Sequence, residues 1–129
     1  MLKKVIVFSC LMALTGMAAF AETPKLLLMK FHADWCGSCK AMGPLLEDLQ
    51  GKYDGKPVLF VSLDRTNRST ESQAAMTAYA MQQGKVYEAT QGTGKLILID
   101  TASGEILDTF TQENDLKTIG KALDAQLNK

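Results

Sequence analysis

Leu26-Leu27-Leu28-Met29-Lys30-Phe31-His32-Ala33-Asp34-Trp35-Cys36-Gly37-Ser38-Cys39-Lys40 is the stretch on which the reading of this chain turns. Its first half is a nearly continuous apolar run, broken by Lys30 and His32, as suits a strand buried on both faces. Its second half places two cysteines two residues apart at the opening of a segment with helical periodicity. A thiol at a helix N-terminus lies where unbonded N–H groups and the helix dipole favour its thiolate. The thiolate is the reactive form, and a second thiol one turn on is placed to attack a mixed disulfide and release it. The chemistry this suggests is thiol–disulfide exchange.

Working upstream, Lys3 and Lys4 precede an apolar run from Val5 to about Ala18, and Ala19-Phe20-Ala21 has the small-x-small form of a cleavage site. Residues 1–21 therefore read as a secretory signal peptide. An uncleaved membrane anchor fits less well, because the run is interrupted by Ser9, Thr15 and Gly16 and falls short of the ~20 apolar residues a span needs. Cys10 comes too early in the run to mark a lipoprotein and is expected to leave with the leader. The remaining 108 residues, 22–129, make one domain with two cysteines, 12 basic and 14 acidic residues. A net charge of −2 gives no reason to expect nucleic acid or an anionic membrane surface as partner. Export places the Cys36/Cys39 pair in a periplasmic or otherwise extracytoplasmic compartment, where disulfides persist, and the product is expected to be soluble.

Downstream, Met42, Leu45, Leu46, Leu49 and Tyr53 recur at helical spacing, with Pro44 predicted to kink the helix because it cannot bond back to Lys40. Val58 to Leu63 reads as a second buried strand and Asp64 to Asn67 as a loop. Thr70-x-x-Gln73 has the form of a capping box for a helix that runs out near Gly84. Val86 to Gly94 shows no clear period, with Gly92 and Gly94 marking a turn. Leu96–Ile99 and Glu105–Phe110 form a hairpin across Thr101–Gly104. Asn114 or Asp115 caps a last helix carrying Leu116, Ile119, Leu123 and Leu127. The order β-α-β-α-β-β-α predicts one mixed α/β sheet with helices on both faces. The first two strand–helix–strand units are expected to pair in parallel through right-handed crossovers.

Other chemistries for the cysteines are weaker. A zinc site needs four ligands, and only His32 is available beyond the two thiols; no metal site is expected. A purely structural disulfide closing so small a loop stabilises by about 2 kcal/mol at best. His32, the sole histidine, shares a strand face with Lys30 and is a candidate base for the second thiol. Alternatively it packs beside Trp35 without chemistry. Met76 and Met81 sit at helical spacing and read as packing.

With these residues in view, the chain resembles the thioredoxin-like family over essentially all of 22–129. The resemblance rests on Ala33-Asp34-Trp35-Cys36-Gly37-Ser38-Cys39-Lys40, on Pro44 five residues after Cys39, and on the hairpin and last helix. It implies that Cys36 is the exposed nucleophile and Cys39 the buried resolving thiol, with a redox-active Cys36–Cys39 disulfide and no other cofactor. Trp35 would shield the site, Gly37 would let the chain turn tightly, Ser38 would tune the redox poise, and Lys40 would add nearby positive charge. Three departures stand out. Lys30 occupies the position of the family's buried carboxylate, and Phe60 that of its lysine partner. Gly94 stands where the family places a cis-proline, so a trans, more flexible loop is expected, with Thr93 offering backbone groups to a substrate. The segment from Asp64 to Gly94 is longer than in a minimal member, so an extended helix and an added rim are expected. If Lys30 is charged beneath the cysteines, it should favour thiolates and make the protein more oxidising.

The function implied is an exported thiol–disulfide oxidoreductase acting on protein thiols and disulfides. The hairpin Leu98-Ile99-Asp100 to Leu107 resembles exported reductases of periplasmic thiols, which suggests reduction fed by a membrane-bound electron donor. A monomer is expected. The rival readings are a non-catalytic binding module that uses the Gly92–Lys95 loop, and a metal-binding variant.

Overall fold

The structure, a computed structural model, describes residues 23–129; the leader expected over residues 1–21 lies outside the described residues. Four strands form one sheet in the order β2-β1-β3-β4: β1 (Leu26–His32), β2 (Val58–Asp64), β3 (Lys95–Asp100) and β4 (Ile106–Phe110). Central β1 is buried through six of its seven residues, as its nearly continuous apolar run implies. Alternate side chains go to opposite faces. Leu26 and Leu28 join a core with Met42, Leu49, Tyr53, Ile119 and Leu123, from the helices α2 (Gly43–Lys52) and α5 (Leu116–Leu127) and from Met42 and Tyr53, which cap the two ends of α2. Leu27, Met29 and Phe31 join a second core with Ala74, Ala78, Val86 and Tyr87, from α3 (Arg68–Ala80) and α4 (Gly84–Ala89). The expected mixed sheet with helices on both faces is thus the observed architecture.

Four local expectations are corrected. Only β1 and β2 pair in parallel; β3 runs antiparallel to β1, with Phe31 opposite Lys95 and Leu26 opposite Asp100. Gly94 donates to Phe31 O (2.8 Å), so the chain enters β3 at the end of β1 nearest the cysteines. Second, β2 is an edge strand, and of its apolar residues only Leu63 is fully buried, because its outer side has no neighbouring strand. Third, α3 begins earlier than Thr70-x-x-Gln73 implies. Asn67 is the N-cap, accepting from Ser69 N and Thr70 N, while Thr70 Oγ1 takes the reciprocal place against Asn67 N. Asn is as good a cap as Thr, and here it satisfies two end N–H groups at once. Fourth, residues 84–89 form the short helix α4.

Pro44 acts as expected, but the interruption goes as far as dividing the helix in two. The first piece, α1 (Gly37–Ala41), ends at Met42, and α2 begins with Pro44 in its first turn. There its missing N–H costs nothing. Asp115 caps α5, accepting from Thr118 N at 2.7 Å. No helix among the described residues is long and apolar enough to cross a membrane.

Candidate active site

The end of β1 delivers the chain into Ala33–Trp35 and then α1. Cys36 is the N-cap of α1, and Cys39 N donates to its Sγ at 3.2 Å. The two cysteines are joined in a disulfide with a Cα–Cα distance of 5.2 Å. Cys39 is 1% exposed and Cys36 7%. The first thiol is therefore more open than the second but less exposed than expected. Ser38 Oγ lies 3.3 Å from Cys36 Sγ, and the Gly94 backbone comes close to both. An N–H aimed at Sγ favours negative charge there, which is the charge a departing or attacking sulfur carries.

Beneath the pair, Lys30 is buried and its Nζ donates to Cys39 O at 3.2 Å. Burial holds its pKa below the ordinary lysine value. Beside it is a cavity of about 50 Å³ lined also by Phe60, Ser62, Leu46 and Leu96. Lys30 and Phe60, the two residues standing where a carboxylate and a lysine were expected, thus share one small space. His32 is engaged elsewhere: its Nε2 meets Asp34 Oδ1 at 3.1 Å, and its buried Nδ1 has no partner among the described residues. Neither ring nitrogen bonds Cys39, so a base role for His32 receives no geometric support.

Trp35 is 66% exposed and forms one wall of the site. Its Nε1 donates to Thr66 O (3.0 Å), and Asp34 N donates to Thr66 Oγ1 (2.9 Å). Thr66 is in turn held by Asp64, which accepts from both its N–H and its hydroxyl. Those bonds hold the Asp64 carboxyl below its usual range. Lys40 is exposed in the last turn of α1, and Gly37 has open space around it.

Across from the cysteines lies the loop Thr90–Gly94. No peptide bond in it is cis, and Gly92 and Gly94 have φ of 74° and 76°. A Cβ at Gly94 would collide with Ser38 Oγ and lie 3.5 Å from Cys36 Sγ. The absence of a side chain is thus what lets the loop approach the disulfide so closely. The loop separates two grooves: one of about 450 Å³ beside Trp35, Arg65 and Tyr87, the other of about 290 Å³ beside Ser38 and Lys95. Thr93 lines both.

The loop is tied down more firmly than its glycines suggest. Arg65, just beyond β2, donates from Nη1 to Thr90 O (2.7 Å) and Gly92 O (2.9 Å), and from Nη2 to Tyr87 O (2.9 Å). Sequence reasoning missed this residue by placing it in a polar loop. The available signal was its type, since Arg65 is one of only two arginines in the chain, and arginine's planar fork suits several acceptors at once. Among the described residues, no group of three or more His, Cys, Asp or Glu side chains is arranged to hold a metal ion.

Comparison with known proteins agrees with this geometry. The family model for thioredoxin matches residues 17–101. A thioredoxin 2 from Chlorobaculum tepidum is 32% identical over 79 residues, covering 58% of this chain and 72% of that protein. The mitochondrial thioredoxin of Bos taurus is 40% identical over 76 residues, or 56% of this chain; the match spans less than half of that relative, 45%. Among solved structures, thioredoxin from Trypanosoma brucei brucei aligns with a TM-score of 0.54 at 17% identity, covering 83% of this chain and 79% of its own. The thioredoxin of Malassezia sympodialis gives 0.51 at 20% identity, covering 81% and 80%. The strand order, the paired cysteines at the end of β1 and the sequence match lead to one conclusion: the chain belongs to the thioredoxin family.

Proposed function

We propose that this protein is an exported thiol–disulfide oxidoreductase that acts on protein substrates as a reductase. In the reduced enzyme, Cys36 thiolate attacks a substrate disulfide, forming a mixed disulfide and releasing one substrate sulfur as thiolate. Cys39, as its thiolate, then attacks Cys36 Sγ. The mixed disulfide breaks, the second substrate sulfur leaves, and the Cys36–Cys39 disulfide forms. Two electrons pass to the substrate, and the released sulfurs take up protons. A dithiol donor returns the enzyme to its reduced form by the reverse chemistry.

The observation that carries this reading is the asymmetry of the pair. Cys36 caps α1 with an N–H aimed at its sulfur, while Cys39 is sealed behind it within reach of that sulfur. Export is supported by the charged start, apolar run and small-x-small end of residues 1–21, and a membrane-bound dithiol donor is the partner such a location calls for. The roles given to Trp35, Ser38, Lys40 and Thr93 belong to this proposal.

Insulin reduction with dithiothreitol tests it. Wild-type protein should accelerate the reaction, Cys36→Ser should abolish the acceleration, and Cys39→Ser should accumulate a mixed disulfide. Acceleration that survives Cys36→Ser would refute the mechanism and favour a non-catalytic binding module. Equilibration against glutathione tests direction: a potential near that of thioredoxin, about −270 mV, supports reduction, whereas one near −120 mV would make the protein an oxidase.

A further inference from the structure

Arg65 directs its charge at main-chain oxygens. No carboxylate among the described residues lies within ion-pair distance of it. Three carbonyls, from Tyr87, Thr90 and Gly92, converge on its two Nη atoms. The guanidinium lies against a stacked pair of aromatic rings, 4.5 Å from the Phe31 centroid and 4.4 Å from that of Tyr87, whose own centroids are 6.0 Å apart. Its own backbone N–H is anchored to His32 O at 2.7 Å. Phe31, one of the two rings, also supplies the carbonyl that accepts from Gly94 N (2.8 Å) and lies 3.5 Å from Cys39 Sγ. Arg65 is therefore joined through one residue to both the loop and the disulfide.

The loop needs such an anchor. Thr93 lies between two glycines in the left-handed region, where the chain has the greatest conformational freedom to lose. No proline restricts it, and the Thr93 N–H and C=O have no hydrogen-bond partner among the described residues. We propose that Arg65 is a positioning residue for exchange with polypeptide substrates: it fixes Gly92–Gly94 so that the free main chain of Thr93 meets the substrate backbone beside Cys36. This rests on the oxidoreductase reading above and adds to it a division of labour. The cysteines and Ser38 govern sulfur reactivity, and Arg65 governs how well an extended substrate is held. Lysine at this position would keep the charge but lose the fork that reaches three carbonyls and the planar group that lies beside the two rings.

The test compares wild type with Arg65→Lys and Arg65→Met, using insulin as the polypeptide disulfide and dithiobis(nitrobenzoate) as a disulfide too small to need the loop. The Cys36 thiolate titration, the glutathione equilibrium and the rate with the small disulfide should stay within about twofold of wild type, while KM for insulin rises about tenfold with kcat little changed, as expected when binding must order a loop that was ordered before. Arg65→Lys should fail to rescue. A parallel fall with both disulfides, or an unchanged insulin KM in a folded variant, would overturn the proposal. Wild type that reduces the small disulfide but not insulin would overturn it too, and wild type that reduces neither would remove the oxidoreductase reading along with it. Amide hydrogen exchange on wild type gives a check independent of variant folding. Gly94 N–H should be protected like the β1–β3 ladder, and fast exchange there would refute the anchoring.

Discussion

At Gly94 the volume a side chain would fill is already occupied by Ser38 Oγ, and the backbone has a φ of 76° that L-residues rarely adopt. Gly94→Ala should therefore carry two costs: about 1–2 kcal/mol for the left-handed conformation, and a displacement of Ser38 from Cys36 Sγ. We expect a loss of thermal stability together with slower insulin reduction. Adding Ser38→Ala should recover the steric part alone, leaving the double variant more active than Gly94→Ala. Equal activity of the two would show that Ser38 and Gly94 are not coupled. Lys30 offers a second residue-scale test. If the Lys30 amine that donates to Cys39 O carries charge and favours the thiolate form of the pair, Lys30→Met should lower the reduction potential. The expected shift is of the order of 30 mV, a tenfold change in the two-electron equilibrium. An unchanged potential and an unchanged thiolate titration would show that the Lys30 charge does not reach the sulfurs.

Among the elements, the link between α2 and α5 shows how a single hydroxyl joins two helices. Tyr53, the C-cap of α2, donates to Gly120 O (2.9 Å) and is bonded to Asp124 Oδ1 (2.8 Å) on α5. Burial and the Asp124 carboxylate push its pKa up to about 12. The unfolded chain gives up this proton near 10, while the folded chain retains it. Stability from this link is thus complete below pH 10 and lost as pH rises from 10 to about 12. Tyr53→Phe should cost about 1–2 kcal/mol at neutral pH, and the difference between the two proteins should shrink across that alkaline range in urea titrations. The elements also show what local sequence can carry. Strands β1 and β3 were legible because each is a nearly continuous apolar run, too short for a buried helix, and an interruption of the first helix, though not its full division, was legible in Pro44. Helix α4 was not, because six residues (Gly84–Ala89) are too few to display a period of 3.6. The direction of β3 was also hidden, since a crossover rule describes parallel neighbours and β3 pairs with β1 the other way.

Over the whole molecule, two cores meet at β1, one built against α2 and α5, the other against α3 and α4. The cysteines form a third, small cluster with Ala33 at one end of that strand. The fold should therefore not depend on the disulfide. Cys36→Ser/Cys39→Ser is expected to lose no more than about 2 kcal/mol and to unfold in one cooperative step in urea. Loss of cooperative unfolding would mean that the disulfide organises the domain. The same division accounts for which parts of the site could be read in advance. The cysteines, Trp35 and the unusual Lys30 lie on one continuous stretch, so their proximity follows from chain order. Arg65 reaches its three carbonyls across 22 to 27 residues of sequence, and a contact of that kind is visible only once β2, α4 and the loop have been brought together.

The close approach of Ser38 and Gly94 also has an evolutionary consequence. Because one position supplies the atom that fills the other's missing side chain, the two cannot drift independently. Within this lineage, a chain that acquires a side chain at 94 should have exchanged serine at 38 for a residue that vacates that space, and a hydroxyl retained at 38 should be accompanied by glycine at 94. The pair should thus be inherited as a unit, and their joint variation would trace how a proline-less form of this site arose.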